Sequence, residues 1–468
     1  MSSTQNKNQV YFVSLGCPKN LVDSQVMLGL LKKEQYEVTE DAAKADVIIV
    51  NTCSFIEASK EESISTILDL AQMKNSGRCK VLVASGCLSQ RYSVQLEKEM
   101  PEVDLFVGTG QYHRITELLE NHGKALESGA ELSKRSYIDQ PAFIHTEKDP
   151  RVLTGPKYTA YLKLSEGCNR RCSFCIIPKI RGNVRSRSIS SLVEETKRLA
   201  SEGVRELNLV AQDLTEYGME SKYRERLEML LPELCAVEGI DWIRLHYVYP
   251  DEFSDELIDI IAAQPKIVKY LDMPIQHTND KVLKQMNRRL TKRKLFSVIE
   301  KLRAKIPELA IRTSIIVGFP GETEEEFQEL CTDLATLDLD YVGLFKYSKE
   351  EGTPAAEMSE QVHPGTKRRR FKQLSELLER KSLHRNQRYI GKTVSVLIEG
   401  PSEESDLLLQ GRMPSQAQEI DGHVLVNDLG DLNPEGLAPG MILSVEITEV
   451  LPHDLIGRAV DHAPSFIY

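Results

Sequence analysis

Cys168, Cys172 and Cys175 stand in the stretch Gly-Cys-Asn-Arg-Arg-Cys-Ser-Phe-Cys, residues 167–175, at a C-x3-C-x2-C spacing. Three thiolates so close in sequence can converge on one small inorganic centre while leaving a coordination position open. A structural zinc site is normally closed by four ligands, and an iron–sulfur cluster that only carries electrons usually takes four cysteines. A zinc knuckle would need a further His or Cys, and none occurs between Cys175 and Cys235. A [4Fe-4S] cube on three cysteines keeps one iron free for an external ligand.

A second set of three is spread over the first quarter of the chain. Cys17 lies in Leu-Gly-Cys-Pro-Lys-Asn, Cys53 in Asn-Thr-Cys-Ser and Cys87 in Ser-Gly-Cys-Leu. Each follows a short β-branched or apolar run: Val10–Leu15, Val47–Val50 and Val81–Ala84. Amphipathic stretches come between the runs, including Leu21–Leu31 and Ser59–Met73, and a further run spans Leu105–Val107. Strands alternating with helices predict an open parallel α/β sheet, whose strands bring their carboxyl ends to one edge. There the three cysteines meet, and the glycines before Cys17 and Cys87 allow close backbone approach. A lone cysteine would read as a small buried hydrophobe; Cys79, Cys235 and Cys331 read that way, as core residues.

After a Pro- and Gly-punctuated connection at Pro141, Pro150, Gly155 and Pro156, strand-like runs recur at Tyr158–Leu164, Glu206–Val210, Trp242–Tyr247, Val268–Met273, Ile311–Val317 and Tyr341–Phe345. With helical stretches between, one opened by a Ser191/Glu194 capping box, they predict a partial (βα)6 barrel with its chemistry at the strands' C-terminal ends. The first cysteine loop follows its first strand. Polar or glycine-rich loops follow others, at Gln212-Asp213, Tyr249-Pro250, Pro274–His277 and Gly318–Glu322. Lys179, Arg181, Arg185 and Arg187 form an acid-free run that reads either as a carboxylate-recognising patch or as a solvated loop. The basic stretch from Thr366 to Arg388 reads as a connecting helix packed on the barrel, with RNA contact a minor alternative.

From Tyr389 onward, alternating runs at Thr393–Ile398, Leu407–Gln410, Val424–Val426 and Ile442–Val450 predict a small antiparallel β-barrel. This segment holds thirteen acids against three bases, a net −10 that nearly equals the whole chain's −11. Nucleic-acid affinity rests on neutralising phosphates, so such a charge disfavours RNA and favours a cationic protein. With 468 residues, 41% apolar and 28% charged, a soluble multidomain protein is expected. The polar start and the lack of a membrane-length apolar run suggest a cytoplasmic protein with no membrane partner, where nine cysteines point to metal or redox chemistry and not to disulfides. The organisation expected is an N-terminal domain over 8–123, a linker over 124–153, a catalytic core over 154–388 and a C-terminal module over 389–468, acting as a monomer.

The cysteine loop resembles that of the radical S-adenosylmethionine (SAM) superfamily, and the tail resembles the OB-like TRAM domain. The three modules in this order resemble the methylthiotransferase family over nearly the whole chain. Ser-Leu-Gly-Cys-Pro-Lys-Asn at 14–20 looks like the branch that modifies an aspartate of the twelfth small-subunit ribosomal protein; the tRNA branch usually carries Gly-Cys-Gln-Met-Asn. The resemblance implies two [4Fe-4S] clusters, one on Cys17, Cys53 and Cys87 and one on Cys168, Cys172 and Cys175, with SAM as co-substrate. It also implies an external electron donor and sulfur source, a basic ribosomal protein as substrate, and a deoxyadenosyl radical that removes hydrogen from the aspartate β-carbon before the methylthio group is added. Phe174 and the Gly318–Glu322 loop, including Gly318 and Glu322, would lie near adenine, and Gln212 or Asp213 near the methionyl or ribose end. An unactivated C–H bond has no acidic proton, so no acid–base residue is assigned. A tRNA adenosine methylthiotransferase and a non-enzymatic iron–sulfur ribosome-binding factor remain as alternatives.

Overall fold

The computed structural model describes residues 8–129, 134–221, 225–402, 405–430, 432, 436–460 and 465–466. The first sheet contains β1 (Gln9–Ser14), β2 (Glu37–Val38), β3 (Val47–Thr52), β4 (Val81–Gly86), β5 (Leu105–Val107) and β6 (Ser136–Tyr137), all parallel, in the order β2-β1-β3-β4-β5-β6. β3 and β4 are buried along their whole length, as expected for strands covered on both faces. Helices Pro18–Lys33 and Ile115–Ser128 contribute to the core on one face. On the other, Ile67, Leu88 and Leu96 from helices Glu57–Ala71 and Cys87–Glu99 pack with Ile48, Val50, Leu82 and Phe106. The chain reverses its direction of travel across the sheet between β1 and β3, the switch where open α/β sheets leave a crevice.

The middle of the chain forms β7 (Thr159–Lys163), a two-residue ribbon of β8 (Ser165–Glu166) and β9 (Arg185–Ser186), then β10 (Glu206–Val210), β11 (Trp242–Leu245), β12 (Ile267–Asp272), β13 (Ala310–Val317) and β14 (Tyr341–Lys346). Six of these make one parallel sheet in the order β14-β13-β12-β11-β10-β7, the partial (βα)6 barrel. Its helices bury a layer of Leu, Ile and Val that includes Leu199, Leu230, Leu302 and Leu330 against the outward residues of the strands. Cys235 belongs to this core, Cys331 packs against it, and Cys79 is buried in the first domain's core.

One helix start differs from the sequence expectation. The helix Ile189–Ser201 is capped by Ser188, whose hydroxyl accepts from the Ser191 N–H at 3.2 Å, and not by a Ser191/Glu194 box. Ser191 is buried in the first turn and accepts from Arg187, four residues upstream, at 2.9 Å, so its side chain is already engaged and does not cap the helix.

The last module comprises β15 (Thr393–Ser402), β16 (Ser405–Arg412), β17 (Val424–Asp428), β18 (Met441–Val450), β19 (Leu455–Ala459) and β20 (Ser465–Phe466). The order β15-β16-β17-β19-β18 closes through β15–β18 pairing into a five-stranded barrel. The β17–β19 pair is parallel within this otherwise antiparallel barrel. The sequence reading missed β19, a short Leu-Ile-Gly-Arg-Ala run that follows β18 across one tight turn. Glu403, Glu404, Asp431, Glu435 and Asp461, five of the thirteen tail acids, lie outside the described residues.

The small barrel plugs the N-terminal end of the large one, the end away from the cysteine loop. Leu397 and Ala417 pack with Tyr158, Trp242, Val268, Tyr270 and Ala310. Beneath them Arg412 donates to both carboxylate oxygens of Glu206, which also accepts from Arg244 at 3.2 Å; the Tyr270 hydroxyl donates to Asp421 at 2.7 Å. The helix Pro364–Asn386 runs between the barrels, with Leu374 buried. Several of its cations are turned to the protein's own groups: Arg369 to Glu324 (2.7 Å), Arg385 to Asp340 (2.8 Å) and Lys367 to the Tyr347 carbonyl (2.9 Å).

Candidate functional site

β1, β3 and β4 are neighbours, and Cys17, Cys53 and Cys87 lie immediately beyond their carboxyl ends. Cys17 is the N-cap of the helix Pro18–Lys33, and Cys87 opens the helix Cys87–Glu99. The preceding glycines are required by geometry. A Cβ on Gly16, at φ +89°, would sit 2.7 Å from the Cys53 Cβ, and one on Gly86, at φ +95°, would meet the Asn51 side chain at 2.4 Å. Asn20 fixes the Cys17 loop by donating to the Leu15 carbonyl at 2.7 Å.

Burial pushes the Cys87 thiol up to about 12; Arg181 pulls it back, and Cys53 and Cys17 push it up again. Cys53 is raised by burial and by Cys17. Cys53 and Cys87 are buried and Cys17 is half-buried beside them, and a metal centre on the two buried thiols must displace their protons. Among the described residues, no three His, Cys, Asp or Glu side chains are close enough to hold a single metal ion. The donor set, thiolate only and three in number at each place, fits an iron–sulfur cube.

The loop of Cys168, Cys172 and Cys175 follows β8 at the C-terminal mouth of the barrel. It is held from several sides: the Cys168 N–H donates to the Gly182 carbonyl (3.1 Å), the Ser173 N–H to the Met286 carbonyl (2.9 Å), and the Ala355 N–H to the Ser173 carbonyl (2.8 Å). Burial, with Cys172 beside it, pushes Cys175 up to about 12. Arg170 and Arg288 flank the ring of Tyr249 at 4.1 and 4.2 Å, and Arg288 reaches the Cys172 sulfur at 3.9 Å. Neither arginine is singled out by the sequence, because each is an ordinary loop residue until the fold sets it beside Tyr249.

The remaining sequence-predicted residues gather around this mouth. Phe174 packs with Phe319, Tyr347, Val282 and Met286. Gln212 donates to Glu166 at 2.7 Å and keeps its carbonyl oxygen buried without a hydrogen-bond partner among the described residues. Asp213 is engaged by Arg170 at 2.6 Å and by the Thr215 N–H at 2.9 Å. Glu322 folds its own loop, accepting from the N–H groups of Gly318 and Phe319 with Arg370 at 3.2 Å, while burial pushes its carboxyl up to about 7. Gly318, at φ +74°, lies against Lys367.

The basic run 179–187 is not solvated throughout, and three of its four cations are engaged by the protein's own groups outside it. Arg181 is 1% exposed and binds Asp23 (2.6 Å) and Glu166 (3.2 Å); Arg187 is 3% exposed and binds Glu195; Lys179 donates to the Gly352 carbonyl at 2.7 Å. All these partners lie outside the run, Asp23 and Gly352 far from it in sequence, so the run looks unpaired when read alone. Arg185 keeps Nε and Nη2 buried and without a hydrogen-bond partner among the described residues. Arg181 also donates to the Cys87 sulfur at 3.4 Å. Through Glu166, itself bonded to Lys163 (2.8 Å) and Gln212, it joins the first cysteine set to the barrel mouth. The first domain is further fastened there by Arg91, which binds Glu350 at 2.9 Å and the Glu351 carbonyl at 2.9 Å.

A parallel sheet edge and a barrel mouth, each with three cysteines and joined by a buried charge network, define a radical SAM protein with a second thiolate site. Sequence patterns agree in order: residues 9–108 match the uncharacterized protein family UPF0004, 162–334 the radical SAM superfamily and 390–460 the TRAM domain. The solved structure of the radical S-adenosylmethionine methyltransferase TsrM from Kitasatospora setae, with cobalamin and a [4Fe-4S] cluster bound, shares the fold at a TM-score of 0.53. It is 16% identical and covers 75% of this chain and 77% of that one.

Relatives similar over their whole length are more specific. The ribosomal protein uS12 methylthiotransferase RimO of Geobacter sulfurreducens is 49% identical, covering 97% of this chain and 99% of its own, and that of Pelobacter propionicus is 50% identical, covering 98% and 99%. The chain belongs to the RimO family of ribosomal protein uS12 methylthiotransferases.

Proposed function

We propose that this protein is a SAM-dependent radical enzyme that adds a methylthio group to the β-carbon of an aspartate in ribosomal protein uS12. The observation that carries the reading is the pair of open three-cysteine sites, one at the β1/β3/β4 edge and one at the barrel mouth, connected through Arg181 in a chain of this family. Cys168, Cys172 and Cys175 hold one [4Fe-4S] cluster, and Cys17, Cys53 and Cys87 hold a second. With SAM and an external reductant and sulfur source, these centres supply radical generation and methylthio delivery. The cofactor carries that chemistry, and the protein positions and shields the reactants.

Each part of the chain has a definable share in this. Phe174, beside Phe319, offers an aromatic face to adenine, and the Gly318–Glu322 loop is held in shape by Glu322 accepting backbone N–H groups. The unpaired Gln212 oxygen is the acceptor on offer to the methionyl or ribose end, while Asp213 holds Arg170 and thereby the cluster loop. The division we assign is 8–123, 154–388 and 389–468 with 124–153 connecting the first two, a connection that begins with the end of the helix Ile115–Ser128 and lends β6 to the first sheet. No described helix is long and apolar enough to cross a membrane; a monomer working in the cytoplasm, with at most minor RNA contact, suits a ribosomal substrate.

The test is a pair of variants. Cys168→Ala should abolish cleavage of SAM to 5′-deoxyadenosine. Cys53→Ala should retain some uncoupled cleavage while methylthio insertion stops. Equal cleavage by the Cys168 variant and the wild type would contradict the radical assignment.

A further inference from the structure

Lys19 is placed where a lysine is hard to accommodate. It is 8% exposed, and no carboxylate stands within ion-pair distance of its ammonium among the described residues. It occupies the first turn of the 16-residue helix Pro18–Lys33, a turn with no acid, so its charge opposes the positive end of the helix dipole. Its one close neighbour of suitable character is the ring of Tyr247, whose centroid lies 3.4 Å from Nζ. Such cation–π contacts are seldom the sole compensation for a buried charge.

The surroundings place this ammonium between the two cysteine sites. Lys19 is two residues from Cys17, and Tyr247 follows β11 at the C-terminal mouth of the large barrel. Tyr247 is a non-glycine residue at φ +60°, and Gln276, beyond the next strand, is another at +71°. Left-handed backbone at non-glycine residues costs energy and gathers where ligands are clamped. Tyr247 and the Cys17 sulfur act on this ammonium more strongly than Asp272, the one carboxylate that does, and Asp272 is already bound by Arg312 at 2.9 Å. The site therefore has a fixed cation, a strained wall and, beside the Cys17 sulfur, no carboxylate of its own free to pair with that cation.

We propose that Lys19 determines specificity for the acceptor residue by binding its side-chain carboxylate, an inference that rests on the substrate class proposed above. A carboxylate seated on Nζ would set the adjacent methylene between the first domain's cysteines and the barrel mouth. It would also separate an aspartate from an asparagine, because a neutral amide leaves the ammonium uncompensated. The methionyl carboxylate of SAM offers the same chemistry. The acceptor is favoured because Lys19 comes from the first domain, beside Cys17, and not from the cluster loop of the barrel.

The experiment uses cluster-loaded full-length enzyme without reductant, and measures binding of uS12, of uS12 with the acceptor Asp changed to Asn, and of SAM. Wild type should prefer the Asp form by about 10-fold or more. Lys19→Met should erase the preference by weakening the Asp form alone, and Lys19→Arg should retain part of it. SAM affinity should be unchanged in both, and the melting temperature of Lys19→Met should not fall, because an uncompensated buried charge has been removed. Undiminished preference in Lys19→Met overturns the assignment, and weakened SAM binding in its place gives the ammonium to the methionyl carboxylate. Wild type that binds neither uS12 form would contradict the substrate reading itself. Wild type that modifies uS12 while Lys19→Met still discriminates would contradict only the role of Lys19.

Discussion

Gly16 shows how narrowly single residues set this chemistry. Its φ of +89° and the 2.7 Å approach that a Cβ would make to Cys53 leave no room for a side chain. Gly16→Ala should therefore impair the first cluster and spare the second: iron per chain falls to about half, 5′-deoxyadenosine still forms, and methylthio product is lost. Full iron content in that variant would show that the loop relaxes without harm. The cysteines were legible because cluster chemistry fixes their spacing at 168–175 and because β-branched runs mark the strands that end at Cys17, Cys53 and Cys87. Lys19 was not legible as a site residue, and Arg181 was legible only as one cation of a basic run, not as the buried link between the two cysteine sites. A lysine and an arginine carry no local sign of burial, and Arg181's partner Asp23 is 158 positions away.

At the scale of elements, the two barrels are held together by a buried charge cluster. Burial alone would raise the Glu206 carboxyl, but Arg412 and Arg244 overcome it and hold the group at about 2. An unfolded glutamate titrates near 4.5. Folding therefore gains from this group above that pH, and the gain is lost as pH falls from about 4.5 through about 2, while the unfolded chain takes up the proton first. The shift corresponds to about 3 kcal/mol. Chemical denaturation at pH 6 and pH 3 should show Glu206→Gln less acid-sensitive than wild type, yet less stable at pH 6 by about 3–5 kcal/mol because two guanidiniums lose their counter-charge. Equal pH dependence in the two proteins would contradict this. The strands at this junction could be read from their Val, Ile and Leu content, since burial on both faces selects those residues. The β17–β19 pairing and the Ser188 cap could not, because barrel closure decided the first and the Arg187–Ser191 hydrogen bond the second.

For the whole molecule, charge and architecture point to the same partner. The small barrel carries net −10 in sequence, and part of that is used internally, by Asp421 on Tyr270 and Arg312 and by Glu399 on Arg412. Exposed acids such as Asp428 and Glu449 remain to attract a basic protein. Affinity for uS12 should fall with ionic strength, and Asp428→Lys with Glu449→Lys should weaken it several-fold while SAM cleavage is unchanged; a salt-independent association would remove this role from the module. The central claim is tested most directly by mass spectrometry after anaerobic incubation with SAM, reductant and sulfide, with uS12 and unmodified tRNA offered in parallel. The account requires a methylthio adduct on one uS12 aspartate and none on the RNA. An adduct on tRNA alone, or on neither, would contradict it.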